Sequence, residues 1–244
     1  MQALFLAGGS GSCLRGIAKN IPKVMVNIKG RPFLEYLVLQ LKNYSLNDII
    51  LCTGYLKGRI ENYFGNGNNL GVNIIYSEET EPLGTGGAIK FADNLIPEGD
   101  FIVMNGDSLF DIDLCKLIDC HLNKKAIATM ALAKVKDTLR YGSVEMSKDN
   151  KIKSFIEKVE CSHSNLINGG IYIFNRKIFK FIPEGEKISL ENDIFPKLIG
   201  KGFYGISFDN YFIDIGIPED YIKIQKSPEC LLKLKNIKGK NNRC

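Results

Sequence analysis

Residues 2–16 read QALFLAGGSGSCLRG. An apolar run that closes on glycine predicts a short buried strand. Gly8, Gly9 and Gly11 then leave backbone N–H groups uncovered at a strand-to-helix turn, which is how an anion nest is made. A tight turn with no ligand fits the same residues. The dinucleotide spacing GxGxxG and the Walker spacing GxxxxGK[ST] are both absent, so a phosphate loop here is of another kind.

Working outward, strand and helix patterns alternate through residue 110. PFLEYLVLQLKNY, residues 32–44, carries Phe33, Leu34, Leu37 and Leu41 at helical spacing behind Pro32. NDIILCTGY (47–55) reads as a strand, LKGRIENYFG (56–65) as a helix stopped by glycine, VNIIYSEE (72–79) as a strand, TGGAIKFADNL (85–95) as a helix and DFIVMNGD (100–107) as a strand. Such units predict an α/β fold: a Rossmann-like, mixed but mostly parallel central sheet with helices on both faces. Ligands of such sheets bind beyond the carboxyl ends of the strands, here at residues 7–11, 53–55 and 105–107. The second half is more mixed. Residues 126–135 and 141–158 predict sheet and hairpin, 167–175 a strand entered through glycines, and 190–200 a helix. Residues 203–216 predict a hairpin-like pair ending at Asp214, and 217–226 a helix with an acidic first turn. We expect one domain over 1–225, with a nucleotide-binding half over about 1–113 and a sugar-phosphate-binding half over about 114–225, followed by a basic tail at 226–244.

Composition narrows the function classes. The 244 residues are 45% hydrophobic and 24% charged, ordinary for a globular protein. No apolar run approaches the roughly 18 residues of a membrane span, and the first residues lack a signal-peptide pattern. A cytoplasmic protein with no membrane partner is expected. The net charge of +5 misleads, because residues 226–244 hold six Lys/Arg and one Glu, leaving the body balanced. A nucleic-acid binder spreads its basic residues over a folded face, so no nucleic-acid partner is expected. The seven cysteines contain no CxxC, and the only histidines are His121 and His163. These counts argue against structural zinc and a triad hydrolase, and for reduced thiols.

Several residues then stand out. Lys23 follows Pro22 and can swing back toward the glycine loop as a phosphate partner; an ordinary surface lysine is the bland alternative. EPLGTGGA, residues 81–88, is a second glycine turn, whose small residues let backbone approach a flat ligand. MNGDSLFDID, residues 104–113, sets Asp107 just after a strand with Ser108, Asp111 and Asp113 nearby. Asp214 ends a later strand in the same way. Two strand-end carboxylates suit one magnesium ion, although each alone reads as a turn or cap residue.

In order, these features resemble the sugar-phosphate nucleotidyltransferases, the enzymes that make NDP-sugars. The ordered set also includes Glu157-Lys158 and the turn at residues 168–170. The resemblance covers residues 6–225. EPLGTGGAIK, NGDSLFDIDL, SLENDIFPKL and YFIDIGIPEDY look most like the guanylyltransferases acting on D-glycero-D-manno-heptose 1-phosphate. The resemblance implies small-molecule substrates, an NTP and a sugar 1-phosphate, with Mg2+ as cofactor, and a possible homodimer. It implies that Leu6, Ala7, Gly8, Gly9, Gly11, Ser12, Cys13, Lys23, Pro82, Gly84, Thr85 and Asn105 bind nucleotide. Tyr141, Gly142, Glu157, Lys158, Asn168 and Gly169 would bind the sugar phosphate, though Tyr141 fits core packing equally. Asp107 and Asp214 would hold the metal, with Lys23, Asp107 and Arg15 at the reacting centre.

One position departs from the family. Its loop normally reads GxGTRL, with an arginine on the β- and γ-phosphates, and here Cys13 takes that place. A thiol donates almost nothing where a guanidinium donates a charged fork. Losing one such donor typically costs roughly 10²–10³ in rate. Arg15 shares a face with position 13 if the segment is extended, and points away if it is helical. Three readings stay open at this point: an active enzyme using Arg15 or another base, a slowed enzyme, or a nucleotide- or sugar-phosphate-binding relative without turnover. Another NDP-hexose pyrophosphorylase is the alternative within the family.

Overall fold

The computed structural model describes residues 1–9, 20–135, 138, 141–156, 164–229 and 231. Gly11, Ser12, Cys13, Arg15, Glu157, Lys158 and most of the basic tail lie outside them.

The first half alternates as its sequence predicts. Strand β1 is Ala3–Leu6, followed by a small ribbon of β2 (Asn27–Ile28) and β3 (Arg31–Pro32). Helix α1 (Phe33–Lys42), β4 (Asp48–Thr53), α2 (Lys57–Phe64), β5 (Asn73–Glu78), α3 (Gly84–Phe91) and β6 (Asp100–Asn105) come next. Then come β7 (Ser108–Phe110), α4 (Leu114–Lys124), β8 (Ala128–Lys134), β9 (Ser143–Met146), β10 (Ile152–Ile156) and β11 (Leu166–Asn175). The chain closes with α5 (Phe195–Leu198), β12 (Phe203–Phe208), β13 (Phe212–Asp214) and α6 (Pro218–Lys226).

Nine of these strands form one sheet. Across it the order is β5, β4, β1, β6, β11, β8, β12, and β9 and β10 extend from the start of β11. β1 pairs in parallel with both β4 and β6, β4 with β5, and β8 with β12. β11 runs antiparallel to β6 and β8 and shifts register between Asn168 and Tyr172. The sheet is therefore mixed and largely parallel.

Alternation along the strands explains the two covered faces. Ala3 and Phe5 of β1 pack with Leu34, Leu37 and Leu41 of α1 and with Leu114 and Leu117 of α4. Leu4 joins the opposite core with Ala88 and Ile89 of α3 and Phe195 and Leu198 of α5. Helix α1 is only 10 residues long, too short to persist alone, so this buried face stabilises it.

Three expectations change. Residues 203–216 do not form a hairpin: β12 adds in parallel to the edge of β8, and β13 pairs antiparallel with β7. Both runs have strand character, but the open edge of β8 and the short β7 are better partners than each other. Residues 190–200 open with a π turn over Leu190–Ile194 before α5, and Pro196 sits in its first turn, where a missing N–H costs nothing. Cys52 and Cys120 are free thiols, but Cys115 is disulfide-bonded; sequence spacing does not reveal which cysteines the fold brings together.

Candidate active site

The carboxyl ends of β5, β4, β1 and β6 open into one cavity of about 510 Å³. Leu6, Gly8 and Gly9 line it from β1, Gly54 and Tyr55 from β4, Glu79 from β5, and Asn105 and Asp107 from β6. Pro82, Gly84 and Thr85 form a further wall, and Lys23 closes the end beside Asp107. The three strand ends singled out from sequence thus share one hollow. Ala7 lies beneath it, buried, with its N–H donating to the Cys52 carbonyl at 2.9 Å. The Cys52 thiol is held protonated by burial and then by Glu79, so it is an inert part of the floor.

Lys23 begins a short 3-10 turn behind Pro22, whose ψ of 139° sets the direction of entry. Its Nζ lies 2.6 Å from Asp107 Oδ2 and 3.8 Å from Asp214 Oδ1. The β7–β13 ribbon makes this possible, because its register sets Asp214 opposite Ser108. The Ile215 N–H also donates to the Asp107 carbonyl at 3.0 Å. Asp214 is pushed up to about 6, first by burial and then by the Asp107 carboxylate, against the pull of Lys23 and of the Gly216 N–H. Two carboxylates and one ammonium from three distant parts of the chain therefore meet at one end of the cavity. Asp113, grouped with them by sequence, instead caps α4 by accepting from the N–H groups of Cys115 and Lys116. The Ser108 hydroxyl donates to Asp107 Oδ1 at 3.2 Å.

The glycines of residues 84–87 do allow a close approach, but by the protein itself. Gly84 has φ +74°, and a Cβ there would lie 2.5 Å from the Ile188 carbonyl oxygen. That oxygen accepts from Gly86 N–H at 2.8 Å and Gly87 N–H at 3.2 Å, and the Ile188 N–H donates to Leu83 O at 2.8 Å. Thr85 lines the cavity, but its hydroxyl is engaged elsewhere, donating to Glu191 Oε2 and accepting from the Leu190 N–H, both at 2.7 Å.

Glu79 was not visible as a site residue. It stands in the run 78–81, EETE, where nothing marks one carboxylate as buried. In the fold, Glu79 Oε2 accepts from Leu83 N–H at 2.9 Å, and Oε1 stands beside Gly8. Burial raises its carboxyl above the usual range, with the Leu83 N–H opposing. Tyr55, 45% exposed, forms part of the cavity rim.

The second group of candidates converges on the bulge in β11. Asn168 N–H donates to the Gly142 carbonyl at 3.0 Å. The Asn168 side chain holds the bulge, with Nδ2 donating to the Tyr172 hydroxyl at 2.8 Å and Oδ1 accepting from Gly170 N–H at 3.0 Å. Gly169 packs on Phe110, where a Cβ would lie 2.5 Å from a ring carbon. Tyr141 packs edge-on against Phe212 at 5.6 Å between centroids, and its hydroxyl reaches Asp220 Oδ2 at 3.5 Å. Tyr141, Gly142 and Asn168 thus belong to one neighbourhood, joined through Phe212 to the strand that carries Asp214.

The family model for nucleotidyl transferases matches residues 2–229. The chain belongs to the nucleotidyl transferase family. Among its members, a D-glycero-alpha-D-manno-heptose 1-phosphate guanylyltransferase from Aneurinibacillus thermoaerophilus is 45% identical over 227 residues, covering 93% of this chain and 97% of that one. A mannose-1-phosphate guanylyltransferase from Mycobacterium tuberculosis is 35% identical over 91% of this chain and 63% of its own length. The crystal structure of HddC from Yersinia pseudotuberculosis complexed with GMP-PN superposes with a TM-score of 0.81 at 37% identity, covering 92% of this chain and 98% of that one.

Proposed function

We propose that this protein transfers the guanylyl group of GTP to D-glycero-α-D-manno-heptose 1-phosphate, giving GDP-heptose and pyrophosphate. The observation that carries the base assignment is Glu79. Adjacent strands lie about 4.8 Å apart, so the hollow from β5 to β6 spans about 14 Å, enough for a nucleotide laid across the strand ends. Its phosphates would meet Lys23 beside β6, and its base would meet Glu79 and the wall at residues 82–85. A carboxylate only accepts hydrogen bonds. Guanine presents N1–H and N2–H donors on one edge, which a carboxylate satisfies. Adenine and cytosine turn a lone pair toward it, and uracil flanks one donor with two carbonyls.

The chemistry asked of the protein is positioning and charge neutralisation. The sugar phosphate oxygen attacks the α-phosphorus in line, and pyrophosphate leaves from the opposite side. No enzyme nucleophile is required, consistent with the buried, protonated Cys52 being the thiol among the described residues of the cavity. Lys23 holds positive charge where the transferred phosphoryl group gathers negative charge. The half over about 1–113 would carry the nucleotide, and Tyr141, Gly142, Glu157, Lys158, Asn168 and Gly169 would carry the sugar phosphate.

Nucleotidyltransferases commonly use a divalent metal. The donor set here fits one: two carboxylates converge on a single cationic position. Two carboxylates suit a magnesium ion, which completes its shell with phosphate and water. Asp107 and Asp214 would hold Mg2+, which supplies Lewis-acid charge at the phosphates when bound. Among the described residues no helix is long and apolar enough to cross a membrane. We propose a cytoplasmic reaction, where its nucleoside triphosphate substrate is found, without membrane or nucleic-acid partners and with a homodimer as the expected assembly.

The test is pyrophosphate release with magnesium, each NTP being paired with heptose, mannose and glucose 1-phosphates. Preference for GTP and the heptose supports the assignment. Preference for another pair replaces it, and binding without pyrophosphate release makes the protein a non-catalytic relative.

A further inference from the structure

We infer that Glu191 is a positioning residue for the nucleotide, acting through Thr85 on the cavity wall that the base meets. The inference rests on the placement of the base against residues 82–85 proposed above.

Residues 83–87 are stitched to residues 188–191 on two levels. The backbone level is the set of bonds between Ile188 and Leu83, Gly86 and Gly87. The side-chain level is a directed chain. Leu190 N–H donates to Thr85 Oγ1 at 2.7 Å, and the Thr85 hydroxyl must then turn its proton away, toward Glu191 Oε2 at 2.7 Å. The Ser189 hydroxyl donates to the same carboxylate oxygen at 2.9 Å. Each bond orients the next, so the carboxylate at the end fixes the hydroxyl at the beginning.

Glu191 is carried to this point by the π turn over Leu190–Ile194. Leu190 and Ile194 are buried in the same core as Ala88 and Ile89 of α3, so the acceptor sits on an anchored element. π turns recur at functional positions because the widened backbone re-aims a side chain. Thr85 is at once a member of this chain and a lining residue of the cavity. Glu191 lies 106 residues downstream of it, in the half of the chain assigned to the sugar phosphate. Removing its carboxylate therefore affects nucleotide binding while sparing the substrate its own half binds. A purely structural tertiary bond predicts no such selectivity.

The experiment measures GTP affinity by titration calorimetry and the KM of each substrate for E191A, E191Q, T85V, the double variant E191A/T85V, and E79Q. Expected are GTP affinities about 10-fold weaker in E191A and in T85V, because a wall no longer held by the Thr85–Glu191 bond must be ordered when GTP binds. The double variant should be no worse than either, and the sugar 1-phosphate KM should stay within about twofold. Gln retains an acceptor for Thr85, so E191Q should recover to within about threefold of wild type. If E79Q binds GTP weakly while E191A and T85V bind as wild type, the base lies where proposed and the positioning role is overturned. If all bind as wild type, the placement of the base is wrong and the inference falls with it. A change in sugar 1-phosphate KM in place of GTP affinity also overturns it. Should E191A fail to fold, T85V, which is nearly isosteric, and E191Q decide the matter by the same criteria.

Discussion

Replacing Glu79 by glutamine is the most direct probe of how the base is read. The substitution preserves size and leaves an acceptor for the Leu83 N–H, which lies 2.9 Å from Oε2. It exchanges the other oxygen for an amide donor, and reversing the amide only moves the mismatch to Leu83. One charge-assisted hydrogen bond is lost, about 1.5–3 kcal/mol, and one enclosed donor is left unpaired, about 1–3 kcal/mol. Together, about 2.5–6 kcal/mol corresponds to a fall of about 10²–10⁴-fold in kcat/KM for GTP. Inosine triphosphate lacks the N2 amine, so the wild-type protein should prefer GTP to it by about 10-fold and the glutamine variant should scarcely distinguish them. The assay is pyrophosphate release at fixed heptose 1-phosphate and varied GTP or ITP. A pH series adds an independent arm. Burial raises the Glu79 carboxyl, and protonation removes the acceptor, so GTP affinity should fall on acidification, beginning above the ordinary carboxylate range. The glutamine variant should lack that fall. A variant within about threefold of wild type, with an unchanged GTP/ITP ratio, refutes the placement of guanine against Glu79.

Three further outcomes are expected. Asp107→Asn removes the partner 2.6 Å from Lys23 and one of the two carboxylates facing it; divalent-dependent turnover should drop at least about 10²–10³-fold, measured by pyrophosphate release across a magnesium titration. Lys158→Ala should raise the KM for sugar 1-phosphate well above any change for GTP, and the reverse pattern in steady-state kinetics would remove Lys158 from the sugar site. His121 is buried, 2.9 Å from Thr129 Oγ1 and 3.3 Å from Asp100 Oδ1. Burial lowers its pKa, with Asp100 opposing. The unfolded chain then binds the proton first as pH falls below about 6.5. Stability from this group is fully present above that pH and declines below it, so the denaturant midpoint of the wild type should fall more steeply on acidification than that of His121→Gln.

The strand ends were legible because a buried parallel strand is a continuous apolar run, and its end is marked where the run meets glycine or a carboxylate. That signal exposed residues 7–9, 53–55, 105–107 and 214. It did not say what lies beside each end. The meeting of Asp214 with Asp107 depends on β13 choosing β7 over β12, a competition between two acceptable pairings that local alternation cannot decide. The same limit applies to the glycines at 84–87. Their spacing announced that something comes close, and a flat ligand was the natural candidate. One close approach is made by the backbone of Ile188, brought from the other half of the chain, while Gly84 and Thr85 also line the cavity. Glu79 was illegible for the opposite reason: it is one acidic residue in the EETE run, and burial distinguishes it only after β5 is docked in the sheet.

These cases share a physical cause with a consequence for specificity. Sequence records constraints on a residue's own backbone and volume, whereas ligand selection is set by groups that tertiary contact brings into register. In this protein the wall at residues 82–85 is bonded to residues 188–191 within the fold itself. Bonds of this kind lower the ordering cost that binding otherwise carries, which favours selective recognition if the base meets this wall as proposed. On the proposed placement of the base, the cavity lining alone does not determine base choice. Two relatives with identical linings but different residues at 188–191 should differ in nucleotide affinity, and exchanging those four residues between them should carry the difference across.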